Sequence, residues 1–590
     1  MTSIEERLLD PVAMEVFSNR LLSITEDMGN LLIRASFSTN IKERRDCSVG
    51  LFHADGRLIA QAAHIPLHLG SLMGGVQAVL RRWPVERMRE GDAFMCNDPY
   101  LAGGTHMPDV TIVTPIFHNG SVRFFAANIA HHSDFGGSVP GSIAGSSPTV
   151  FQEGLRLPVI RLVRAGELDE DLLYLVAHNT REPEERMLDL EVQVATNRRG
   201  AELMTALIDR EGIETVERSV EDILTYTRRR LRNRIAALAD GEYTGEAWLD
   251  DDGQGGDPVP VRVTARVAGD RLTLDFSGSG PQARGALNMV ESALNATVCY
   301  AIKALLDPEL MPNSGIFEAV EIDAPAGTIV NPRFPGAVGA RSITCNKASR
   351  AIFAAFSGLL PPERVMAAGH DSVPAIVFSG TWRDRPGTYV YLETIGGGAG
   401  ARRDADGMNA VHVHMTNTTN LPVEALEHEY PLRVDEYALV EDSGGAGRRR
   451  GGLGIARQIR ALADDVIFSI RSDGHILGAP GVLGGLDGGT AALIRNHGTP
   501  SAEYLSSKVS HVAMKRDESM RIETGGGGGF GPPSERAAAD LARDIRGGYV
   551  SREAAARDYG AEKVGEALRL DCREASSLGM GVGSFERGSK

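Results

Sequence analysis

Two runs of apolar, β-branched and aromatic residues, Val110 to Phe117 and Val122 to Ala130, flank His118-Asn119-Gly120-Ser121. Asn-Gly accepts the positive φ values of a tight two-residue turn, so this pattern predicts an antiparallel hairpin. A regular ladder closed by that turn brings Asp109 within one residue of opposition with His131 at the hairpin's open end, with His106 a few residues upstream. The construction recurs earlier, where Asp46 to His53 and Arg57 to Ala62 surround Ala54-Asp55-Gly56. Its ladder sets Asp46 opposite Ile65 and beside His64.

The remaining pattern supplies the frame. Asp10-Pro11 is a helix start, and Met14, Phe17, Leu21, Ile24, Met28, Leu31 and Ala35 form one apolar stripe along the helix that follows. Gly91 to Cys96 reads as a strand entering an Asn97-Asp98-Pro99 turn, and residues 166 to 240 read as helical. From Gly241 the texture changes to alternating strands, Tyr243 to Leu249, Val259 to Ala268 and Arg271 to Phe276, separated by Asp/Gly turns. Glu291 to Leu306 and Lys347 to Leu360 are expected as core helices, Gly451 to Gly489 as turn-dense β structure, and Pro533 to Ile545 and Ser551 to Tyr559 as tail helices. The fold class is therefore a mixed, multi-domain α+β arrangement. Residues 1–240 form a hairpin-rich domain carrying the candidate site, 241–532 a β-rich α+β domain, and 533–590 a helical tail, disordered from Ser576.

Composition narrows the function classes. A formal charge of -16 and a pI near 5.5 argue against nucleic acid and against an anionic membrane surface. The five cysteines are scattered without CxxC spacing, so they read as reduced thiols. The N-terminal residues lack the apolar core of a signal peptide and no run is long enough to span a bilayer, so a cytoplasmic protein is expected.

Two histidines with two aspartates, drawn from Asp109, His131 and His106 at one open end and Asp46 and His64 at the other, suit a divalent ion of borderline hardness, Zn²⁺ or Mn²⁺, with a position left for water. An HxxD pair reads equally as a loop histidine with a capping carboxylate, and spacing alone does not separate the two. Around this set, Asp134 or His132 is a candidate general base or a partner to a ligand imidazole, or else a cap of the loop that follows. Glu153 adds an acid, and Arg156 a cation suited to a substrate carbonyl or carboxylate. The Gly/Ser/Pro-rich loop through Ser147 has the composition of a mobile cover. Pro66 between His64 and His68 argues against a zinc-binding helix, leaving His64 as a reserve ligand on the substrate side and His68 as structural. Gly525 to Gly531 matches GxGxxG trivially and lacks a βαβ unit, so a close-packed turn is expected there. Asp442 to Arg448 is a loop without a following lysine-serine, and no GxxxxGK[ST] exists anywhere, so ATP is not bound here through a Walker loop.

Several segments together resemble the hydantoinase B/oxoprolinase family, the B subunits of ATP-dependent N-methylhydantoinases and 5-oxoprolinases, related to caprolactamase and to acetone and acetophenone carboxylases. They are Asp10-Pro-Val-Ala-Met-Glu-Val, Ile41-Lys-Glu-Arg-Arg-Asp46, Ala60-Gln-Ala-Ala-His64-Ile-Pro-Leu-His68-Leu-Gly-Ser, Asn97-Asp-Pro-Tyr, Gly104-Thr-His106-Met-Pro-Asp109, Asn417-Thr-Thr-Asn420-Leu-Pro-Val-Glu424, Asp442 to Arg448 with Gly451-Gly-Leu-Gly, and Thr524 to Gly531. The resemblance implies a metal held by Asp46, His106, Asp109 and His131. It also implies a partner, an ATPase-type hydantoinase A subunit that carries ATP and Mg²⁺ and phosphorylates the oxygen of a cyclic amide, so that this chain works in a hetero-oligomer. Water activated at the metal would then open the ring, with Asp134 or Glu153 moving the proton. Two other readings stay open: a ketone carboxylase subunit whose metal holds an enolate, and a non-catalytic scaffold in which His106, Asp109 and His131 form a structural clip. Cys47 stands where relatives often carry phenylalanine, and is expected as a small core residue.

Overall fold

Asp10 caps the first helix of the computed structural model as the Asp-Pro pattern predicts, its side chain accepting from the Ala13 N–H. The structure describes residues 10–62, 65–382 and 386–577. Helix α1 (Pro11–Ala35) buries Met14, Phe17, Leu21, Ile24, Met28 and Leu32, so at its last turn the stripe passes through Leu32 rather than Leu31. After the short α2 (Thr39–Lys42) come β1 (Cys47–His53), β2 (Leu58–Gln61), α3 (His68–Arg82), β3 (Ala93–Cys96), β4 (Asp109–His118), β5 (Ser121–His131), β6 (Ile160–Arg164) and β7 (Glu167–Leu168). These strands form one antiparallel sheet in the order β2-β1-β5-β4-β3-β6-β7.

Both faces of this sheet are covered, which is why its central strands read as continuous apolar runs. Helices α4 (Glu170–Ala177), α5 (Pro183–Glu211) and α6 (Ile213–Ala236) follow. On one face, Val49, Leu51, Phe124 and Ala126 pack with α1, α5 and α6 through Phe17, Leu21, Met204 and Val220. On the other, Phe94, Val113, Phe125 and Ala127 meet Leu72 and Val76 of α3. That second core does not stop at residue 240. It runs on through β8 (Gly241–Leu249), β9 (Val259–Ala268), β10 (Arg271–Asp275), α7 (Glu291–Leu306), the one-turn α8 (Ser314–Phe317), β11 (Val320–Asp323) and α9 (Arg341–Phe356), so one apolar core crosses the expected boundary.

The β-rich part carries two further sheets. Strands β12 (Ala375–Thr381) and β13 (Thr388–Thr394) precede α10 (Val423–Glu429), and β14 (Leu432–Leu439), β15 (Ile455–Ala461), β16 (Val466–Arg471), β17 (Ala492–Arg495), β18 (Glu503–Tyr504), β19 (Lys508–Met514) and β20 (Ser519–Glu523) follow. They pair as β13-β12-β16-β19 and β14-β15-β20-β17-β18 around a shared core. Gly525 to Gly529 is not a turn. It threads a bundle of glycine-rich segments, with Gly527 N–H donating to Gly452 O (2.9 Å), Gly528 N–H to Ala368 O (2.9 Å) and Gly529 N–H to Leu486 O (2.9 Å). Chains this close leave no cradle for a phosphate. Helices α11 (Ala538–Arg546), α12 (Arg552–Tyr559) and α13 (Ala561–Ser577) dock on this body through Arg536, which pairs with Asp406 and Asp544. The disorder expected of the last residues falls at 578–590, outside the described residues. Among those described, no helix is long and apolar enough to cross a membrane.

Candidate metal centre

The site forms at one end of β4 and β5, on the face covered by α3. Asp109 and His131 are direct partners across the ladder, so their side chains project from the same face. His106 lies in the turn before β4, whose closure donates the Asp109 N–H to the His106 carbonyl (3.3 Å). The result is a buried triad: one ligand atom each from His106, Asp109 and His131 lie within 4.8 Å of one another. His106 Nε2 stands 3.0 Å from Asp109 Oδ1, and the two imidazole rings are 4.8 Å apart between centroids. Yet both ring nitrogens of His106 and Oδ1 of Asp109 lack a hydrogen-bond partner. A neutral His106 offers one acceptor nitrogen, and leaving it and Asp109 Oδ1 buried without partners is costly unless something bridges them; with His131 beside them their chemistry fits a divalent cation.

The surrounding groups fix the charge of the triad. Asp109 Oδ2 accepts from Thr105 Oγ1 (2.7 Å) and Arg341 (2.7 Å), leaving Oδ1 for the imidazoles. Burial alone would raise the Asp109 pKa, but His106 and Arg341 outweigh it and hold the carboxylate ionised, well below its ordinary range. Burial, then Arg341, pushes His106 down to about 3, and burial with His106 lowers His131 well below the ordinary range, so both rings stay neutral. Neutral imidazoles beside a carboxylate are the protonation states a cation requires. Asn40 steadies His131, donating to its carbonyl oxygen (2.6 Å) with the amide nitrogen 3.0 Å from Nδ1, and Arg44 donates in turn to Asn40.

Asp46 reaches the centre by pairing rather than through its own hairpin. Strand β1 lies against β5 with Cys47 opposite Ala130, so the His131 N–H donates to the Asp46 carbonyl (2.9 Å). The Asp46 carboxylate stands 3.5 Å from His68 Nε2, which is itself 3.8 Å from Asp109 Oδ1. Burial raises the Asp46 pKa, opposed by His68 and Arg44.

Residues 10–533 match the family model described as hydantoinase B/oxoprolinase. The chain belongs to this family. Among relatives of the hydantoinase B/oxoprolinase family, an uncharacterized protein of Methanocaldococcus jannaschii is 35% identical over 97% of this chain and 100% of its own length. A putative D-/L-hydantoinase B subunit of a Pseudomonas species is 31% identical, covering 97% and 98%. 5-Oxoprolinase 1 of Arabidopsis thaliana is 32% identical over 90% of this chain, which spans only 42% of that longer protein. Of solved structures, the ATP-dependent caprolactamase from Pseudomonas jessenii superposes with a TM-score of 0.87 at 26% identity, covering 94% and 96%. Nucleotide-free acetone carboxylase shares the fold, with a TM-score of 0.86 at 20% identity over 98% and 84%.

In this hydantoinase B/oxoprolinase chain the other expected residues lie elsewhere than at the triad. His132 points to the opposite face of the sheet, where Arg186 donates to its Nδ1 (2.8 Å) and its Nε2 meets Gln193 Oε1 (3.0 Å). Both nitrogens are engaged, so it is not placed as a base. Asp134 accepts from the N–H groups of Gly136, Gly141 and Arg181 and from the Arg181 guanidinium, which ties down a loop that is largely buried rather than a mobile cover. Arg156 pairs with Asp98 (2.7 Å) and stacks between Phe151 and Phe334, a bracket near the surface. Glu153 accepts from Val338 N–H (2.9 Å) and Gly339 N–H (2.5 Å) just before α9, the helix that carries Arg341. His64 lies outside the described residues. Cys47 sits in the core on the α1 face, away from the triad.

Three residues at the centre escaped the sequence reading. His68 is one. Arg341 begins α9 six residues before the expected start, and Arg471 ends β16. Arg471 is 3% exposed, and burial together with Arg341 pushes it down to about 9.

Proposed function

We propose that this chain is the B subunit of an ATP-dependent cyclic-amide hydrolase, acting on a hydantoin, N-methylhydantoin or 5-oxoproline-like lactam that a partner A subunit has activated by phosphorylation. The observation that carries the reading is the buried triad of His106, Asp109 and His131 with its orphaned atoms. Support comes from the end-to-end likeness to a protein named as a putative hydantoinase B subunit and from the caprolactamase fold. The lack of a Walker loop in the sequence is in keeping with a nucleotide and Mg²⁺ carried by the partner. An ATP-consuming reaction of metabolite-sized amides, with four buried, unpaired cysteines among the described residues, suits the cytoplasm.

In this reading His106, Asp109 and His131 hold a divalent ion, with Asp46 completing the set and His68 beside it. A Zn²⁺ or Mn²⁺ ion held there supplies Lewis acidity and makes water a competent nucleophile at neutral pH. The chain's own part is positional. Arg341 keeps Asp109 anionic, Asn40 and Arg44 hold His131, and burial of the triad excludes bulk water, which strengthens every charge interaction inside. An unstrained amide is a poor electrophile, and phosphorylation of its oxygen supplies a leaving group. One water adds at the carbon bearing the phosphorylated oxygen and the ring C–N bond breaks, the nitrogen leaving as an amine with its own proton and the two from water, which gives an acyl phosphate. A second water then cleaves this to carboxylate and phosphate with release of a proton.

The test is coexpression with an A-type ATPase subunit, measuring metal content, ATP turnover and ring opening separately in the native chain and in His106→Ala. Ring opening that disappears with the metal while ATP turnover persists is the expected result. Ring opening retained without metal identifies a scaffold, and ATP turnover that requires bicarbonate identifies a ketone carboxylase.

A further inference from the structure

Among the described residues the buried arginines are paired, Arg450 with Asp544 included, and Arg471 is the exception. Arg44 faces Asp46, Arg186 faces Glu185, Arg341 faces Asp109, Arg457 faces Glu393 and Arg536 faces Asp544. Arg471 has no carboxylate within ion-pair distance among the described residues. Its NH1 donates to Ser342 Oγ (2.6 Å), and its Nε has no acceptor. An orphaned Nε does not by itself set Arg471 apart, since Arg44, Arg186, Arg341, Arg457 and Arg536 share it; the missing carboxylate does. A guanidinium buried without a counter-ion costs several kcal/mol by order of magnitude, so an unpaired one beside a reaction centre marks a place reserved for an anion.

Charge counting gives the valence of that anion. Around the triad stand three guanidinium groups, Arg44, Arg341 and Arg471, and at most three carboxylates, Asp46, Asp109 and Glu153, all within the same electrostatic neighbourhood. The protein groups alone are close to neutral. A dication in the triad leaves at least two positive charges uncompensated in an enclosure whose walls are 0% to 7% exposed. The group that balances this is a dianion, and a planar guanidinium fork matches the oxygens of a phosphoryl group.

We propose that Arg471, with Arg341 and Ser342 at the start of α9, forms an oxyanion subsite that seats the phosphoryl group of the activated substrate beside the metal. The inference rests on the metal reading above. It assigns the discrimination between phosphorylated and unphosphorylated rings to this chain. The same fork would recognise a substrate carboxylate, but a single negative charge leaves the enclosure unbalanced.

The experiment uses the full chain loaded with Mn²⁺, its metal content measured before each titration, and inorganic phosphate or acetate as calorimetric probes. One phosphate per native chain is expected, weakened at least tenfold in Arg471→Met and severalfold in Arg471→Lys, which keeps the charge but loses the fork. Metal content should be the same in all three. If Arg471→Met does not fold, Arg471→Lys carries the comparison. Equal phosphate affinity in native and variant chains overturns the subsite, and acetate binding as tightly as phosphate overturns its assignment to a phosphoryl group. A native chain that takes up no metal sinks the metal reading, whereas a metal-loaded chain whose phosphate affinity ignores residue 471 sinks only the subsite.

Discussion

Asp109 stands directly opposite His131 because the ladder between them is not regular. The turn sets Phe117 opposite Val122, but Ile116 pairs with Phe124, so Arg123 is an extra residue on β5. A regular ladder would have left Asp109 facing Ala130 and moved the imidazole to the other side of the sheet, since a one-residue slip exchanges faces. The bulge therefore sets two of the triad's three members face to face.

Removing the Asp109 charge should affect metal and fold together. Asp109→Asn keeps the shape but leaves Arg341 buried without its counter-ion, and breaking a pair of this kind costs about 3–5 kcal/mol. The expected outcome is loss of bound metal by elemental analysis and a clear fall in Tm. A variant that keeps both its metal and its Tm would show that Asp109 neither holds the metal nor anchors Arg341.

His68 and His132 make a paired comparison, because both are buried histidines near the centre and they face opposite sides of the sheet. His68→Ala leaves Asp46 and Asp109 without the ring between them and should weaken metal affinity about 10- to 100-fold, the range for groups that orient ligands. His132→Ala should lower stability, because Arg186 and Gln193 lose a buried partner, while leaving metal affinity unchanged. Competition against a chelator reads the difference, and equal affinities in the two variants would remove His68 from the centre.

These residues also mark what the sequence made legible. Alternation and an Asn-Gly turn bring Asp109 within one residue of His131, because hairpin register is local, whereas the bulge at Arg123 that completes the match has no such signal. Asp46 arrived by pairing of β1 with β5, a contact between distant segments that no local pattern encodes. Pro66 argues against one helix holding both His64 and His68, and α3 begins only at His68, after the proline. The start of α9 was missed because Arg341, Ser342, Thr344, Asn346 and Lys347 are polar yet buried, so the apolar periodicity that announces a helix is absent where the helix faces the site. Arg471 hides at the end of an apolar strand for the same reason.

Glu153 gives a pH signature. Burial raises its pKa from 4.5 to about 7, although the N–H groups of Val338 and Gly339 oppose the shift. The folded state therefore binds the proton more tightly than the unfolded chain. Its contribution to stability is full below the unfolded value and is lost as pH rises towards the folded one. In Glu153→Gln that slope disappears, so the variant should gain on the native chain between about pH 5 and pH 7, by on the order of 3 kcal/mol at most. Denaturant titrations across that window measure it, and parallel curves would mean that Glu153 is ionised throughout.

The glycine bundle explains a segment that mimics a nucleotide fingerprint as close packing of backbones. A Cβ at Gly527 would stand 2.0 Å from the Ala399 carbonyl oxygen, and one at Gly451 would stand 1.8 Å from the Gly527 oxygen. Neither obstacle is a movable side chain. Both are backbone atoms of neighbouring segments that hydrogen-bond to one another, so a methyl group forces apart chains whose amides have no other partners. Gly527→Ala and Gly451→Ala should each yield insoluble or unfolded protein. Gly120→Ala is the control: it has open space and a φ of +75°, so only the strain of that backbone conformation opposes it, on the order of 1 kcal/mol. Soluble expression and Tm distinguish the cases. A folded Gly527→Ala protein of native Tm would mean that the bundle yields, and that its glycines answer to something other than close packing.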